Sequence, residues 1–400
     1  NNKKGESTYI IPDNDVSKIT INSNYVFPES NFRDNYLYTK GLFSNAKKVK
    51  FKLFTDKPNP EYNEIFYAPK LNWNNYDKFL LGLKFHNKSI IESPFLYAIT
   101  PYYSTGTQKI TGSILTSYKI QPAESFFRSI TLSTSAAFFH YDYDLTYKRF
   151  GASASMALNK NPRSQIARSF VLSYNHFNRD LSEVMQQKND YSKYNIWNIG
   201  FVYSENNVIL EKYLFGNLQI MDDYQKLTAE SFYRWEYAKD KKISFRFFGG
   251  LFLTNHTRNN TFNLGISKVS NYSFSYNLLA QSASTGILSQ QFVLAEGGFK
   301  SLINGTVNQW IASSNVDAHV WKMFNVYADA GIYKNKTHDP KFIWDSGIKL
   351  KVIPDFLEIY FPLQSSLGFE PGFKNYSSRI RYTLNVNLNA VIGHFRRGWY

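Results

Sequence analysis

The chain has no cysteine, and none of its 400 residues belong to an apolar run approaching the roughly 20 positions that a membrane helix needs. The first absence excludes a disulfide framework and any Cys-based zinc site. The second excludes helical membrane spans and leaves strand-built ones untouched. Histidine chemistry is equally thin, because His86, His140, His176, His256, His319, His338 and His394 include no His-Glu-x-x-His and no helical i, i+4 pair. There is no Gly-x-Ser-x-Gly elbow, no phosphate-binding Gly-x-x-x-x-Gly-Lys-Ser/Thr loop and no EF-hand calcium loop. The chain therefore carries no catalytic motif and calls for no cofactor of its own. It begins Asn-Asn-Lys-Lys-Gly-Glu-Ser, without an initiator Met or an apolar signal region, as expected of a processed or truncated product.

Aromatic residues are abundant instead: 30 Tyr, 34 Phe and 7 Trp make 18% of the chain. One soluble core does not need so many, whereas the two interfacial girdles of a membrane barrel do. A mean hydropathy of −0.40 is compatible with that reading, since a barrel with a polar lumen is hydrophilic on average. The net charge of +15 comes from dispersed Lys and Arg with no arginine-rich stripe, which argues against nucleic acid. Contact with anionic lipid head groups, lipopolysaccharide included, and a partly basic lumen account for it better.

Period-two alternation carries the fold. Arg379-Ile-Arg-Tyr-Thr-Leu-Asn-Val-Asn-Leu-Asn389 sets Ile380, Tyr382, Leu384, Val386 and Leu388 against Arg379, Arg381, Thr383, Asn385 and Asn387. Likewise, Phe324, Val326, Ala328, Ala330 and Ile332 oppose Asn325, Tyr327, Asp329 and Tyr333, and Ile130, Leu132, Ala136 and Phe138 oppose Ser129, Thr131, Ser133 and Ser135. Such strands are predicted near 63–73, 78–87, 94–104, 107–119, 127–139, 144–158, 166–177, 194–204, 207–220, 226–237, 242–254, 307–320, 323–334, 342–353, 355–363 and 378–390. They describe an all-β, transmembrane, antiparallel up-and-down barrel of about 16 strands, between about 14 and about 18. A two-sheet sandwich would rarely use so many consecutive long strands.

Two segments depart from this pattern. Residues 1–46 are polar and rich in Asn and Ser, a linker or the remnant of an upstream region, and 47–400 form the barrel. Residues 255–306 are the longest irregular stretch, with Gly286, Gly297, Gly298 and Gly305 beside apolar and aromatic residues, and are expected to fold over or into the barrel mouth as a plug. Asp317, Asp329, Asp345 and Glu358 lie on C-terminal strands, with Lys349, Lys351, Arg379 and Arg381 on their neighbours. On one lumen face these would form a ladder of cross-strand charge pairs, structural in the first instance and an ion-selective constriction in the second. His319, alternating with Asp317 and Asn315, is expected on the same wet face as a hydrogen-bonded histidine. The terminal Trp399-Tyr400 fits the aromatic ending common in bacterial barrels.

Several blocks carry a resemblance: Ser289-Gln-Gln-Phe-Val-Leu-Ala-Glu-Gly-Gly-Phe-Lys-Ser301 with Asn308-Gln-Trp310, Trp344-Asp-Ser-Gly-Ile348, Tyr360-Phe-Pro-Leu-Gln-Ser-Ser-Leu-Gly368, Arg379-Ile-Arg381 and Arg396-Arg-Gly-Trp-Tyr400. Residues 47–400 resemble the C-terminal barrel region of large outer-membrane proteins of Bacteroidota similar to gluzincin metallopeptidases of the M1 aminopeptidase type. The resemblance implies a multi-pass barrel in a Gram-negative outer membrane that anchors a zinc-peptidase domain lying upstream, or that docks other outer-membrane proteins or lipoproteins. The peptidase's zinc histidines and glutamates have no counterpart here, so no catalytic or metal residue is carried over, and any enzymatic activity or zinc belongs to an upstream domain. The competing expectation is a porin-like channel for small solutes, since a sixteen-stranded barrel is wide enough to conduct unless plugged.

Overall fold

A computed structural model describes residues 10, 15–24, 26–29, 34–90, 93–122, 125–158, 161, 163–207, 209–353 and 356–385. Alternation at two-residue period becomes sixteen staves: β1 (Asn63–Asn74), β2 (Lys78–His86), β3 (Phe95–Ser104), β4 (Ile110–Ile120), β5 (Ser129–Asp142), β6 (Leu145–Ala157), β7 (Ile166–Arg179), β8 (Lys193–Asn206), β9 (Leu210–Met221), β10 (Tyr224–Ala238), β11 (Lys241–Asn255), β12 (Trp310–Trp321), β13 (Phe324–Lys334), β14 (Lys341–Ile353), β15 (Leu357–Ser365) and β16 (Arg381–Leu384). Each pairs antiparallel with the next, and the sheet closes into a barrel. Two short strands join the same sheet: 49–53 runs parallel to β1, with Val49 opposite Asn63, and Gly368–Phe369 folds back on β15. Lys18–Thr20 and Tyr36–Tyr38 form a separate two-stranded pair.

The cause of closure is visible in β13, where Phe324, Val326, Ala328, Ala330 and Ile332 are exposed and Asn325, Tyr327, Asp329 and Gly331 are buried. One face is built for lipid and the other for the interior. Leu172, Ile199, Leu214 and Leu227 continue the outward apolar belt around the wall, and outward aromatics such as Trp73, Tyr103, Tyr118 and Trp197 accompany it. Several hairpins turn on a residue with positive φ, Asp144 at 55°, Asp240 at 58° and Lys322 at 50°, which matches the right-handed twist of the strands they join.

The last predicted strand begins later than its alternation suggests. Tyr376–Arg379 forms a helical turn, and the strand begins at Arg381. Within β16, Arg381 is buried and Thr383 bonds inward to Phe292, the phase that alternation requires. Residues 386–400, including Val386, Leu388, His394 and the aromatic terminus, lie outside the described residues. Residues 1–9 and part of 11–33 do so as well.

Candidate functional site: a plugged lumen

The connection from β11 to β12, residues 256–309, touches side chains from staves all around the ring, a pattern available only from inside the barrel. Arg149 of β6 donates to the Ser273 carbonyl at 3.4 Å, and Tyr194 of β8 donates to the Tyr272 carbonyl at 2.5 Å. Lys226 of β10 donates to the Phe262 carbonyl at 3.2 Å, and Arg246 of β11 to the Glu296 carbonyl at 3.1 Å. The Asn75 amide, in the β1–β2 turn, donates to the Ala280 carbonyl at 3.1 Å, and the Phe292 amide to the Tyr382 carbonyl of β16 at 2.6 Å.

Apolar packing fixes the plug first. Phe262, Leu264, Ile266, Phe299 and Val307 are fully buried, and pack with wall residues Phe177, Tyr194, Ile196, Tyr224, Phe248 and Ile311. Burial of such side chains contributes about 1.5–3 kcal/mol each. This explains why Phe177, Tyr194, Ile196, Tyr224 and Phe248 face inward at positions that an aqueous channel would keep polar. The backbone of the plug approaches the wall at Gly298 (φ +75°), where a Cβ would fall 2.4 Å from the Asn315 Oδ1 and 2.7 Å from an Arg246 guanidinium nitrogen. Only glycine fits that conformation and that space.

Polar anchors then set its register. Arg381 is 1% exposed, and its guanidinium donates to the carbonyls of Ser267 at 2.8 Å, Phe299 at 3.2 Å and Gln291 at 3.2 Å, clasping both arms of the plug from the last stave. Lys300 pairs with Asp329 at 2.6 Å, and the Ser301 amide donates to Asp345 at 2.6 Å. Asn315 bridges the two sides, donating to Asp329 at 3.0 Å and to the Gly297 carbonyl at 3.2 Å.

The expected charge ladder divides under this geometry. Lys349 pairs with Asp317 at 2.6 Å and approaches Glu358 at 3.7 Å, and Lys351 stands opposite Glu358 in the register. These are the cross-strand pairs of opposite sign that the sequence led us to expect. Asp329 and Asp345, in contrast, face each other across β13 and β14, a like-charge register that would be unfavourable alone. The plug supplies the compensating groups, Lys300 and the Ser301 amide. Arg379 departs from the ladder altogether: it lies on the helical turn before β16 and binds Glu370 at 2.7 Å. Buried Glu370 would by desolvation alone be harder to ionise, but the Arg379 guanidinium bound to it outweighs burial and holds it below the usual range. His319 is hydrogen-bonded, as expected, but at the rim: its ring bonds the Asp240 and Lys322 carbonyls at 3.0 and 2.7 Å, next to a bulge that ends the alternation.

Sequence reasoning missed Lys226, Arg246 and Lys300. Lys226 and Arg246 were hidden because inward-facing cations on a strand read as lumen solvation, and Lys300 because an aperiodic segment offers no face. The Gly297-Gly298-Phe299 run was the available signal of a close backbone approach. The loop 180–192 is tied to the plug too, through Asp190, which forms an ion pair with Arg179 at 2.8 Å and accepts hydrogen bonds from Asn259 at 2.9 Å and Thr261 at 2.8 Å. Burial raises its pKa, and these partners overcome burial and lower it. Among the described residues no group of three or more His, Cys, Asp or Glu could hold a metal ion.

No family model and no curated protein matches the chain. Among solved structures it is similar to the crystal structure of BamA from Haemophilus ducreyi lacking POTRA domains 1-3, with 11% identity, a TM-score of 0.45, and coverage of 82% of this chain and 73% of that one.

Proposed function

We propose that this barrel is a closed outer-membrane platform, an anchor and docking body for protein, in preference to a porin-like channel. The observation that carries the reading is the plug: its apolar core packs on the wall, and Arg381, Lys300 and Ser301 tie it to staves that an open pore would leave facing water. No recognised catalytic motif in the sequence competes with this reading. The protein anchored is, in this proposal, a metallopeptidase-like domain preceding residue 1, in a Gram-negative outer membrane, and neighbouring outer-membrane proteins or lipoproteins are the other partners.

Two measurements test it. In planar bilayers the wild-type barrel is expected to show no steady conductance, and a stable, porin-sized open state would overturn the closed-platform reading. Intact mass and zinc content of the native polypeptide test the cargo: a species well above 46.5 kDa with one bound zinc is expected, and a metal-free species of that mass removes the peptidase.

A further inference from the structure

On the outer wall the pairing register sets side chains of neighbouring staves in rows. Leu172 of β7 stands beside Ile199 of β8 in the apolar belt, and the next outward row brings Tyr174 beside Trp197. One row further, Phe150 of β6, His176 and Asn195 are neighbours, and the row after that joins Lys148, Asn178 and Lys193. Over three staves the wall thus passes from aliphatic to aromatic, then to imidazole and amide, then to ammonium. The imidazole row is closed on itself, because the His176 Nδ1 and the Tyr174 hydroxyl both bond the Asn195 side-chain oxygen, at 2.7 and 3.0 Å. The ammonium row is not. Lys148 and Lys193 are exposed, and among the described residues neither forms an ion pair. Lys148 rests over the Phe138 ring at 5.7 Å, and Asp180 at the same rim accepts from the Thr146 amide and hydroxyl at 3.0 and 2.6 Å.

Beside the lysines the wall is hollowed. Gly112 of β4, Phe138 of β5 and Lys148 continue one row, and Ile114, Ala136 and Phe150 continue the adjoining one. Gly112 and Ala136 carry too little side chain to fill their places, and a groove of about 530 Å³ opens over them. Ile99, Ile114, Phe138 and Phe150 edge it, with Lys148 and Asn178 on its β6–β7 side. The lysine row lies at the end of the barrel from which the longest connections, 180–192, 256–309 and 366–380, depart, and Asn178 and Lys193 flank the first of these closely. In membrane barrels the longer connections lie on the outer side.

We infer that the groove and its lysine row bind one molecule of lipid A, the phosphorylated glucosamine lipid of the outer leaflet. One acyl chain lies over Gly112 and Ala136, and a phosphate is held by Lys148 and Lys193 with the Asn178 amide between them. One stave separates β6 from β8, so the two lysines start about 10 Å apart, a span that their side chains close around a phosphate. Lipid A presents phosphomonoesters with more charge than the single phosphodiester of phosphatidylglycerol, and so makes use of both lysines. A second copy of this chain, docked here about a twofold axis, would set the same lysines against one another, and an uncharged lipid would leave them unpaired. The inference rests on the outer-membrane placement proposed above and not on whether the lumen conducts.

The test titrates lipid A, phosphatidylglycerol and phosphatidylethanolamine against the whole barrel in detergent, with bound lipid counted by native mass spectrometry. One tightly bound lipid A is expected, weakened about thirtyfold when Lys148→Ala and Lys193→Ala are combined and retained when both become Arg. Lys334→Ala, at the same rim on β13, should leave binding unchanged. Ala136→Phe fills the groove and should weaken lipid A with the lysines intact; if it does not fold, as judged by gel mobility before and after heating, the lysine variants decide alone. Phosphatidylglycerol binding as tightly as lipid A, an equal loss in Lys334→Ala, no loss in the double lysine variant, or a dimer in place of bound lipid would each overturn the proposal. Fractionation of native membranes tests the placement separately, so failure to bind lipid A in a barrel found in the outer membrane falls on this inference alone.

Discussion

At the scale of single residues, the plug depends on a few side chains that have no substitute. Arg381 spreads one guanidinium over carbonyls from both arms of the plug, so Arg381→Leu removes several charge-assisted bonds and leaves those carbonyls buried without donors. A loss of about 3 kcal/mol or more in urea unfolding is expected, with new protease cleavage within 256–309. Arg381→Lys should lie between, because a point ammonium cannot reproduce the fork. Gly298→Ala is expected to cost about 1–3 kcal/mol through its left-handed backbone alone, and more from the collision with Asn315. Acid acts on the same attachments. Asp190 and Glu370 are both held below their ordinary range, so their contribution is complete above that range and lost as pH falls through the depressed values. Protease sensitivity of the plug should therefore rise below about pH 4 and stay flat from about pH 6 to 8. A rise on going alkaline within that window would contradict the assignment.

At the scale of elements, alternation made the staves legible: fifteen predicted strands have a counterpart whose ends differ by a few residues, and the sixteenth begins three residues later than predicted, at Arg381. Period two reports a face, and a face survives in sequence whatever the neighbours are. Register does not, which is why Asp329 opposite Asp345 could not be read before the pairing was known. The plug was legible as an interruption and illegible as a structure, because its fully buried residues fall in stretches far apart in sequence, Phe262, Leu264 and Ile266 in a short alternating run and Phe299 and Val307 well beyond it, so no one face runs through the segment. Their partners on the wall supply the order that the segment lacks. Replacing 257–308 with a short Gly-Ser linker should expose Phe177, Phe248 and Ile311 to a wet lumen. That variant is expected to conduct in planar bilayers and to unfold in urea at a lower midpoint than wild type; an unchanged midpoint would mean that the plug adds nothing to barrel stability.

At the scale of the whole molecule, two solvents act on one sheet. Ile199 sits between Leu172 and Leu218 in the middle of the outward belt. Ile199→Arg is expected to destabilise the barrel by about 2–4 kcal/mol in a bilayer and by much less in detergent, where the head group reaches water easily. Equal losses in both would place this face away from lipid. The molecule also has an order in time. Among the described residues the plug follows eleven staves and precedes five, yet the group that clasps both of its arms, Arg381, belongs to the last of these, β16. Contacts of such long sequence separation form late. A chain interrupted before residue 381 would present a nearly complete wall with its interior unfastened, so the attachment of the plug reports whether synthesis reached the last stave, and an envelope protease that cuts loose plugs would remove the unfinished copies.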